Sequence, residues 1–208
     1  MFNETRIIPK DTVVTLQIFR DWIISRGGTP LLFAGTLLGW YRECDFIYHT
    51  HDIDFTLFIE EYYANFAADI RESGFMQLAH RFNRPEDLLE YKVYINDIIP
   101  MDIFFLYHNE SHSWTGGLNF NEQYKIYYPL INLTCATDFL GYLMYVPCNF
   151  LDVIVSEHGK EWMQPIHSSR YYWNVNPKNI ELVKIISENK TNEYFVDYTD
   201  FDESTATN

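Results

Sequence analysis

The sequence predicts a single α/β domain in which a mixed β-sheet is flanked by helices. Apolar residues recur at helical spacing near the start of the chain, and runs rich in aromatic and β-branched residues, typical of strands, follow them. The 208 residues are 47% hydrophobic and 18% aromatic, which is enough to form one core of ordinary size. Helices and strands mixed along a chain without repeats or linkers favour a sheet covered by helices.

The first predicted element is an amphipathic helix. Asp11 or Thr12 can cap its start, and the pair Gly27-Gly28 ends it. A short buried strand at 30–34 and a helical turn at 36–41 are expected to follow. The apolar face of the helix consists of residues three or four positions apart: Val13, Leu16, Phe19 and Ile23.

The middle of the chain is predicted to supply most of the sheet. A helix at 60–73, closed by Gly74, interrupts the strands. Asn96-Asp97 separates the last two strands and is typical of a tight hairpin. The four predicted strands alternate in polarity or are rich in aromatic and β-branched residues: 53–59, 75–82, 88–95 and 98–107.

The remaining sequence is predicted to be less regular. Residues 108–117 are interpreted as a loop, in which Trp114 and Gly116-Gly117 either bind a ligand or form a tight turn. A helix is expected at 149–158, with Gly159 just past its end. The chain is therefore divided into three predicted regions: an N-terminal helix packed on the domain at 1–29, the main domain at 30–190, and an acidic flexible tail at 191–208.

The net charge of −14 argues against one class of partner. An acidic surface repels polyphosphate and gains nothing from counterion release on nucleic-acid binding, so no nucleic-acid partner is expected. A single phosphate-bearing ligand is compatible with this charge, because a bound divalent cation reverses the local field.

Three aspartates form the most informative pattern in the chain. Asp52 and Asp54 are two residues apart in a predicted strand and therefore point to the same face, and Asp102 lies in a second apolar run. Carboxylates held this close repel one another unless a cation lies between them. Ligand sets made only of oxygen suit Mg²⁺ or Mn²⁺. We therefore predict that the three carboxylates converge on a metal site, and that at least one has a raised pKa without metal.

The residues upstream of the aspartate pair suggest a phosphate site. The Gly35-Thr36 turn can bring backbone N–H groups near a phosphate at a helix N-terminus, and the guanidinium of Arg42 suits phosphate contact. Simpler interpretations stay open: Gly35 and Gly39 as turn and packing glycines, Thr36 as an N-cap, and Asp102 as the partner of Arg42 or Lys92 in a buried ion pair.

The cysteines predict no structural metal. Cys44, Cys135 and Cys148 form no zinc pattern and allow at most one disulfide, and Cys148 is interpreted as a core residue.

The signals for cellular location conflict. No apolar run reaches the ~20 residues of a membrane span, so no transmembrane segment is expected, and the first ten residues contain no signal-peptide core. A cytoplasmic location is therefore open. In favour of the ER or Golgi lumen are four Asn-x-Ser/Thr sequons, more than composition alone predicts: Asn3, Asn109, Asn132 and Asn189.

The segment GTLLGWYRECDFIYHTHDIDF, from Gly35 to Phe55, resembles the signature of the LicD, fukutin and fukutin-related-protein family. In that family a glycine–threonine turn, an arginine and an aspartate pair occur at this spacing. The resemblance runs from about Leu31 to Pro177. Later segments support it: MDIFFLYH, the Trp-x-Gly-Gly of Trp114–Gly117, and VPCNFLDVIVSEHGKEW.

The resemblance implies a nucleotidyltransferase-like fold and a phosphotransferase activity. A phospho-alcohol, such as ribitol phosphate, would pass from a CDP-activated donor to a sugar hydroxyl of a glycan or glycoprotein, with release of CMP. Mg²⁺ or Mn²⁺ is the implied cofactor, and no structural zinc is expected because the cysteine cluster of fukutin-related protein is absent. The residues that match the family pattern form two groups: Asp52, Asp54 and Asp102 as catalytic and metal-binding residues, and Gly35, Thr36, Gly39 and Arg42 as binding residues for the donor.

Two other functions explain part of this pattern. A glycosyltransferase that uses an Asp-x-Asp motif with a nucleotide sugar would account for Asp52 and Asp54, but not for the Gly-Thr turn or for Asp102. A non-catalytic homologue that binds a glycoprotein would have no need of the three aspartates.

Overall fold

A computed structural model describes residues 6–199 and shows a mixed β-sheet with helices packed on it, so the predicted α/β fold class is confirmed. The helices are α1 (Thr12–Ile24), α2 (Ala34–Glu43), α3 (Phe66–Glu72), α4 (Phe150–His158) and α5 (Thr191–Tyr194). The strands are β1 (Leu31–Leu32), β2 (Ile53–Phe58), β3 (Met76–Arg84), β4 (Asp87–Ile95), β5 (Ile99–His108), β6 (His112–Asn119), β7 (Glu122–Pro129), β8 (Thr134–Phe139), β9 (Tyr142–Pro147), β10 (Ile180–Ile185) and β11 (Phe195–Asp197).

Strand β5 lies at the centre of the sheet. The main path of strands runs β10-β7-β6-β5-β2-β1-β9-β8, and β4, β3 and β11 branch from β5. The pairs β2–β5 and β1–β9 are parallel, whereas the other pairs are antiparallel. Because β5 pairs with β2, β4 and β6, a side chain on this strand has neighbours on several sides and is removed from bulk water.

The predicted apolar face of α1 is buried against the sheet. Leu16 and Phe19 are fully buried, and the ring centroid of Phe19 lies 4.9 Å from that of Phe55 on β2. Asp11 occupies the N-cap position, although its side chain forms no capping hydrogen bond. After the helix, Gly27 adopts a left-handed φ of 85°. Helical periodicity therefore identified both this helix and the face that it buries.

The four strands predicted in the middle of the chain are present as β2 to β5, with ends that differ from the prediction by no more than two residues. The hairpin between β4 and β5 turns at Asn96 and Asp97, whose φ angles are 48° and 67°. Because Ile95 pairs with Ile99, the connection has three residues, and Asn and Asp are among the residues that tolerate a positive φ. Short-range turn chemistry was sufficient to place this connection.

Two helix predictions differ from the structure. The turn expected at 36–41 is the longer helix α2, in which Leu37 and Leu38 are buried in the core. The helix expected at 60–73 is replaced by a 3-10 turn at Ile59–Glu61 and by the shorter α3. Tyr62 takes an extended backbone between them, and its ring centroid lies 5.5 Å from that of Phe105. Packing of this ring on β5 outweighs local helical preference.

The loop predicted at 108–117 is wrong, because His112–Asn119 forms strand β6 and pairs with β7. The glycines that suggested a loop are required for packing instead. A Cβ atom on Gly116 would lie 2.2 Å from Cβ of Leu88, and one on Gly117 would lie 2.5 Å from the indole of Trp173. Strands β7, β8 and β9 follow in a stretch for which no element was predicted.

The beginning of the predicted tail belongs to the fold. Residues 191–199 include α5 and β11, and β11 pairs with β3 through Phe195 and Phe82. Tyr194 is buried beside Leu118 and Ile186, which explains why an acidic segment is ordered here. Residues 200–208 of the predicted tail lie outside the described residues, and the boundaries at 29 and 190 stay predictions.

The disulfide and the lengths of the helices bear on the predicted cellular location. Cys135 and Cys148 form a disulfide, so the interpretation of Cys148 as a simple core residue is wrong, whereas Cys44 is free and exposed. The bridge joins the start of β8 to the residue after β9 and closes this hairpin. Between residues 6 and 199, no helix has both the length and the apolar composition needed to cross a membrane.

Removal of the disulfide should destabilise the protein. The bridge links residues 13 positions apart, and a cross-link of this size restricts the unfolded chain. We expect the double variant Cys135→Ala/Cys148→Ala to lose about 2–3 kcal/mol of unfolding free energy in urea titrations. Cys44→Ala is the matched control and should leave the midpoint unchanged. Equal midpoints for the double variant and the wild type would show that the disulfide contributes no stability.

Candidate active site

The three predicted aspartates meet at the junction of β2 and β5. The parallel register sets Asp54 directly beside Asp102, and Asp52 immediately precedes β2 on the same face as Asp54. One carboxylate oxygen from each residue lies within 4.8 Å of those of the other two. Asp54 is 8% exposed and Asp102 is 6% exposed. The predicted convergence of the three carboxylates is therefore confirmed.

Burial and mutual repulsion raise the pKa values of two of these aspartates. Removal from water raises the pKa of Asp54 well above its usual range, and the charges of Asp52, Asp102 and Glu157 raise it further. Burial raises the pKa of Asp102 to about 6, an effect that the ammonium of Lys92 opposes and the charge of Asp52 reinforces. The expectation of at least one raised pKa is met.

Lys92 supplies a positive charge beside Asp102. It stands opposite Asp102 in the β4–β5 register, and its Nζ lies 3.1 Å from Asp102 Oδ1. The ion pair that the sequence left open therefore forms with Lys92. Burial disfavours the charge of Lys92, but Asp102 and Glu90 outweigh this effect and raise its pKa. Glu90 is itself buried, and burial followed by the charge of Asp102 raises its pKa.

The N-terminus of α2 holds Asp54 in place. The backbone N–H of Thr36 donates to Asp54 Oδ2 at 3.3 Å, and the hydroxyl of Thr36 accepts from the backbone N–H of Asp54 at 2.8 Å. A Cβ atom on Gly35 would lie 3.2 Å from Asp54 Oδ2, so the glycine leaves room for the carboxylate. The positive end of the α2 dipole and a direct N–H bond thus favour the anion.

The other two predicted donor-binding residues have different surroundings. Gly39 faces the 45–47 loop, where an added Cβ atom would lie 2.7 Å from the carbonyl oxygen of Asp45, so the glycine allows close packing. Arg42 lines the cavity, but its guanidinium is already bonded to Glu43 at 2.7 Å and to the carbonyl oxygen of Trp162 at 3.1 Å. The arginine therefore ties α2 to the segment that follows α4.

A cavity of about 640 Å³ opens above the aspartates. Gly35 and Arg42 of α2 form part of its wall with the three aspartates, whereas Thr36 and Gly39 do not. Trp114 lies outside it, but its neighbours Gly116 and Gly117 line it. The segment between α4 and β10 supplies another part of the wall, which includes aromatic and amide side chains: Trp162, Gln164, Tyr171, Trp173 and Asn176.

Glu157 is a further buried carboxylate in this cavity, beside those of Asp54, Asp102 and Glu90, that sequence reasoning did not identify. It is 6% exposed, and the hydroxyl of Tyr128 donates to its Oε2 at 2.9 Å. Burial and the charge of Glu157 raise the pKa of Tyr128, so this hydroxyl remains a donor. Glu157 precedes His158 near the end of α4, where a glutamate is ordinarily a surface residue. No periodicity in the sequence marked it as buried.

Histidines at the rim of the cavity connect two loops. The backbone N–H of Ser168 donates to His49 Nδ1 at 3.1 Å, and the ring centroids of His49 and His167 are 4.5 Å apart. Burial, followed by the charge of His167, lowers the pKa of His49. Thr50, in the same loop, donates its hydroxyl to Asp52 Oδ1 at 2.9 Å. The loop before β2 is therefore held to the segment after α4.

The aspartate cluster fits a hard divalent cation. Oδ1 of Asp102 is buried, and no described residue gives it a hydrogen bond of good geometry even though Lys92 lies near. Three carboxylates and one lysine leave net negative charge in a buried place, which is costly without further compensation. All the donor atoms are oxygen, the type that Mg²⁺ and Mn²⁺ prefer. Asp52, Asp54 and Asp102 are the residues that could hold the ion.

Known proteins with similar sequences point to one family. The model of the family described as LicD/FKTN/FKRP, nucleotidyltransferase domain, matches residues 29–149. The chain is 33% identical over 161 residues to ribitol-5-phosphate transferase FKTN of Macaca fascicularis and 32% identical over 161 residues to that of Homo sapiens. Each alignment covers 76% of this chain and 34% of the relative.

A further relative is an uncharacterized protein of Caenorhabditis elegans, which is 31% identical over 194 residues. That alignment covers 86% of this chain and 49% of the relative. The chain thus spans between about a third and a half of the length of these curated relatives.

Binding of a divalent cation should stabilise the protein in a pH-dependent way. In the metal-free protein the pKa values of Asp54 and Asp102 are raised, so their contribution to stability is complete below the pKa of a free aspartate, ~4. The contribution of Asp102 is lost as the pH rises through about 6, and that of Asp54 is lost as the pH rises through its own raised pKa. A cation needs the deprotonated carboxylates. We therefore expect Mn²⁺ to raise the melting temperature by several degrees at pH 7.5 and by much less at pH 5.

Asp54→Asn should remove most of this stabilisation by Mn²⁺. The matched control is Asp152→Asn, a change of an exposed aspartate on α4 that should respond like the wild type. If Mn²⁺ raises the melting temperature of Asp54→Asn as much as that of the wild type, the cation binds elsewhere.

Proposed function

Because the chain belongs to the LicD/FKTN/FKRP nucleotidyltransferase family, we propose that it transfers a phospho-alcohol, ribitol phosphate or a similar alcohol phosphate, from a CDP-activated donor to a sugar hydroxyl of a glycan, with release of CMP. The observation that carries this proposal is the buried carboxylate cluster beside a cavity of about 640 Å³. The names of the mammalian relatives, ribitol-5-phosphate transferase, support ribitol phosphate as the transferred group.

In the proposed mechanism the aspartates organise the donor. Asp52, Asp54 and Asp102 would hold Mg²⁺ or Mn²⁺, which when bound orients a diphosphate and neutralises the charge that develops on it. Thr36 fixes Asp54 through one hydrogen bond to its carboxylate and one from its backbone N–H, and the ammonium of Lys92 lies beside the carboxylate of Asp102. The carboxylates of Asp54 and Asp102 are thereby positioned before the substrate arrives, and such positioning is the main requirement for phosphoryl transfer.

The proposed donor-binding residues divide into two groups. Gly35 and Arg42 line the cavity, where the helix N-terminus and the guanidinium favour a phosphate group. Thr36 and Gly39 lie outside the cavity lining and are proposed to act indirectly, Thr36 through Asp54 and Gly39 by allowing α2 to pack on the 45–47 loop. The acceptor glycan would enter where the segment after α4 supplies aromatic side chains, including Trp173.

Product analysis distinguishes this proposal from its rival. We propose a donor screen with CDP-ribitol, CDP-glycerol and CDP-choline in the presence of Mg²⁺ or Mn²⁺, with a glycan acceptor. Acceptor-dependent release of CMP supports the proposal. Release of a nucleoside diphosphate from a nucleotide sugar would instead support an Asp-x-Asp glycosyltransferase. Binding of a CDP-alcohol that needs no metal and leads to no turnover would support a non-catalytic homologue.

We also propose that the protein resides in the lumen of the ER or Golgi rather than in the cytoplasm. The disulfide between Cys135 and Cys148 is of a kind that persists in oxidising compartments. The sequon residues Asn109, Asn132 and Asn189 are exposed, and Asn3 lies outside the described residues. Exposure is required for modification of a sequon in a folded domain.

Expression in a secretory host tests this location. We expect the purified protein to decrease in mass after enzymatic deglycosylation. The triple variant Asn109→Gln/Asn132→Gln/Asn189→Gln should lack most of the attached glycan, so its mass before treatment should already be close to that of the deglycosylated wild type. A secreted protein of unmodified mass would favour the cytoplasmic alternative. The same protein made in bacteria provides the reference mass.

Asp54→Asn should abolish CMP release while the fold is retained. The substitution preserves size and removes one negative charge from the proposed metal site, so we expect turnover to fall at least ~100-fold, comparable to the loss of one strong electrostatic contact. The melting temperature without metal should be equal or higher at pH 7.5, because repulsion among the carboxylates is relieved. Asp152→Asn serves as the control. An active variant would exclude Asp54 from catalysis, and an unfolded one would indicate a structural role.

A further inference from the structure

Glu157 lies outside the region matched by the family model, yet it shares the cavity with the aspartates. The matched region ends at residue 149, and Glu157 follows on α4, which packs on α2 and β7. Its charge reaches Asp54, whose pKa it helps to raise. Its hydrogen bond from Tyr128 joins α4 to β7, but burial of a carboxylate is costlier than apolar packing at the same place. The cost of burying this charge calls for a chemical explanation.

The surroundings of Glu157 differ from those of the three aspartates. The hydroxyl of Tyr128 donates to its Oε2 at 2.9 Å, and Nε2 of His158 lies 3.6 Å from its Oε1. Within residues 6–199, no lysine or arginine forms an ion pair with it, whereas Asp102 faces Lys92 at 3.1 Å. A carboxylate oriented by a neutral hydroxyl and without a permanent cation partner is suited to accept a proton.

Tyr171 lines the same cavity as Glu157 and Asp54. Burial raises the pKa of Tyr171, and the charges of these two carboxylates raise it further. Its hydroxyl is buried and has no hydrogen bond of good geometry to any described residue. The hydroxyl of Tyr171 can therefore donate to a ligand oxygen that lies near Glu157 and Asp54. A sugar hydroxyl is a ligand that can accept this hydrogen bond through its oxygen and give its own proton to a carboxylate.

We propose that Glu157 is the catalytic base that takes the proton of the acceptor hydroxyl; this inference rests on the proposed function. The acceptor oxygen forms a bond to the phosphorus that carries the alcohol. The bond from that phosphorus to the bridging oxygen of the diphosphate breaks, and its electron pair leaves with CMP. The hydroxyl proton passes to a carboxylate oxygen of Glu157, while Tyr128 and Tyr171 orient the two reacting partners. Asp102, which is paired with Lys92, would then serve as a metal ligand and not as the base.

The test compares Glu157→Gln, Glu157→Ala and the control Asp152→Asn in the CMP-release assay. Glutamine keeps the hydrogen bond from Tyr128 but is not a base, so kcat should fall at least ~100-fold. The KM for the CDP-alcohol should change less than about twofold, because a base for the acceptor does not bind the donor. Added formate should restore part of the activity of Glu157→Ala, because a small carboxylate can occupy the space that the truncated side chain leaves. A purely structural role would not respond to formate.

Each outcome decides between the proposals. If the wild type releases CMP and Glu157→Gln remains active, Glu157 is not the base although the phosphotransferase function stands. If both glutamate variants are folded and inactive but formate has no effect, Glu157 binds or positions substrate and another group is the base. The same conclusion follows if the KM for the donor rises while kcat is retained. If the wild type releases no CMP from any CDP-alcohol, the proposed function fails, and the assignment of Glu157 fails with it. Should Glu157→Ala not fold, Tyr128→Phe tests the same pair: we expect a smaller loss of kcat with the KM unchanged, and full activity would contradict the proposal.

Discussion

The parallel register between β2 and β5 is the constraint on which the rest of the site depends. It sets the Cα atom of Asp54 beside that of Asp102 in the interior of the sheet, where neither carboxylate can escape the other by moving into water. Such a pair is costly to bury, because desolvation and repulsion act together on both groups. The fold offsets part of this cost locally, through the N-terminus of α2 at Asp54 and through Lys92 at Asp102. The uncompensated remainder is what makes the position suitable for a cation.

The helix α2 links this charged pair to the rest of the cavity. Its first turn bonds Asp54, its middle packs on the loop before β2 through Gly39, and its last turn carries Arg42 to the carbonyl oxygen of Trp162. One helix of ten residues thus positions the aspartates and the segment that follows α4. A change in any of these contacts would be transmitted to the carboxylates through a rigid element.

The opposite wall is formed by parts of the chain that are distant in sequence. Gly117 on β6 leaves the space that the indole of Trp173 occupies, and Tyr128 on β7 bonds Glu157 on α4. These contacts help to form a cavity in which Glu157 and the hydroxyl of Tyr128 lie in the same lining as Asp52, Asp54 and Asp102.

The sequence by itself determined the elements whose periodicity or turn chemistry is local. The apolar face of α1, the strands β2 to β5, the hairpin at Asn96-Asp97 and the shared direction of Asp52 and Asp54 all follow from the spacing of neighbouring residues. The motif around the aspartates was also sufficient to indicate the family. Each of these features depends on residues that are close together along the chain.

Only the tertiary structure decided the features that depend on distant pairing. Gly116 and Gly117 predicted a loop, but the side chains of Leu88 and Trp173 require glycine within a strand. The disulfide, the choice of Lys92 over Arg42 as partner of Asp102, and the burial of Glu157 were equally inaccessible. The physical reason is the same in each case. The environment of a side chain is set by the strand or helix that packs against it, and the spacing of residues along the chain does not show which distant segment that will be.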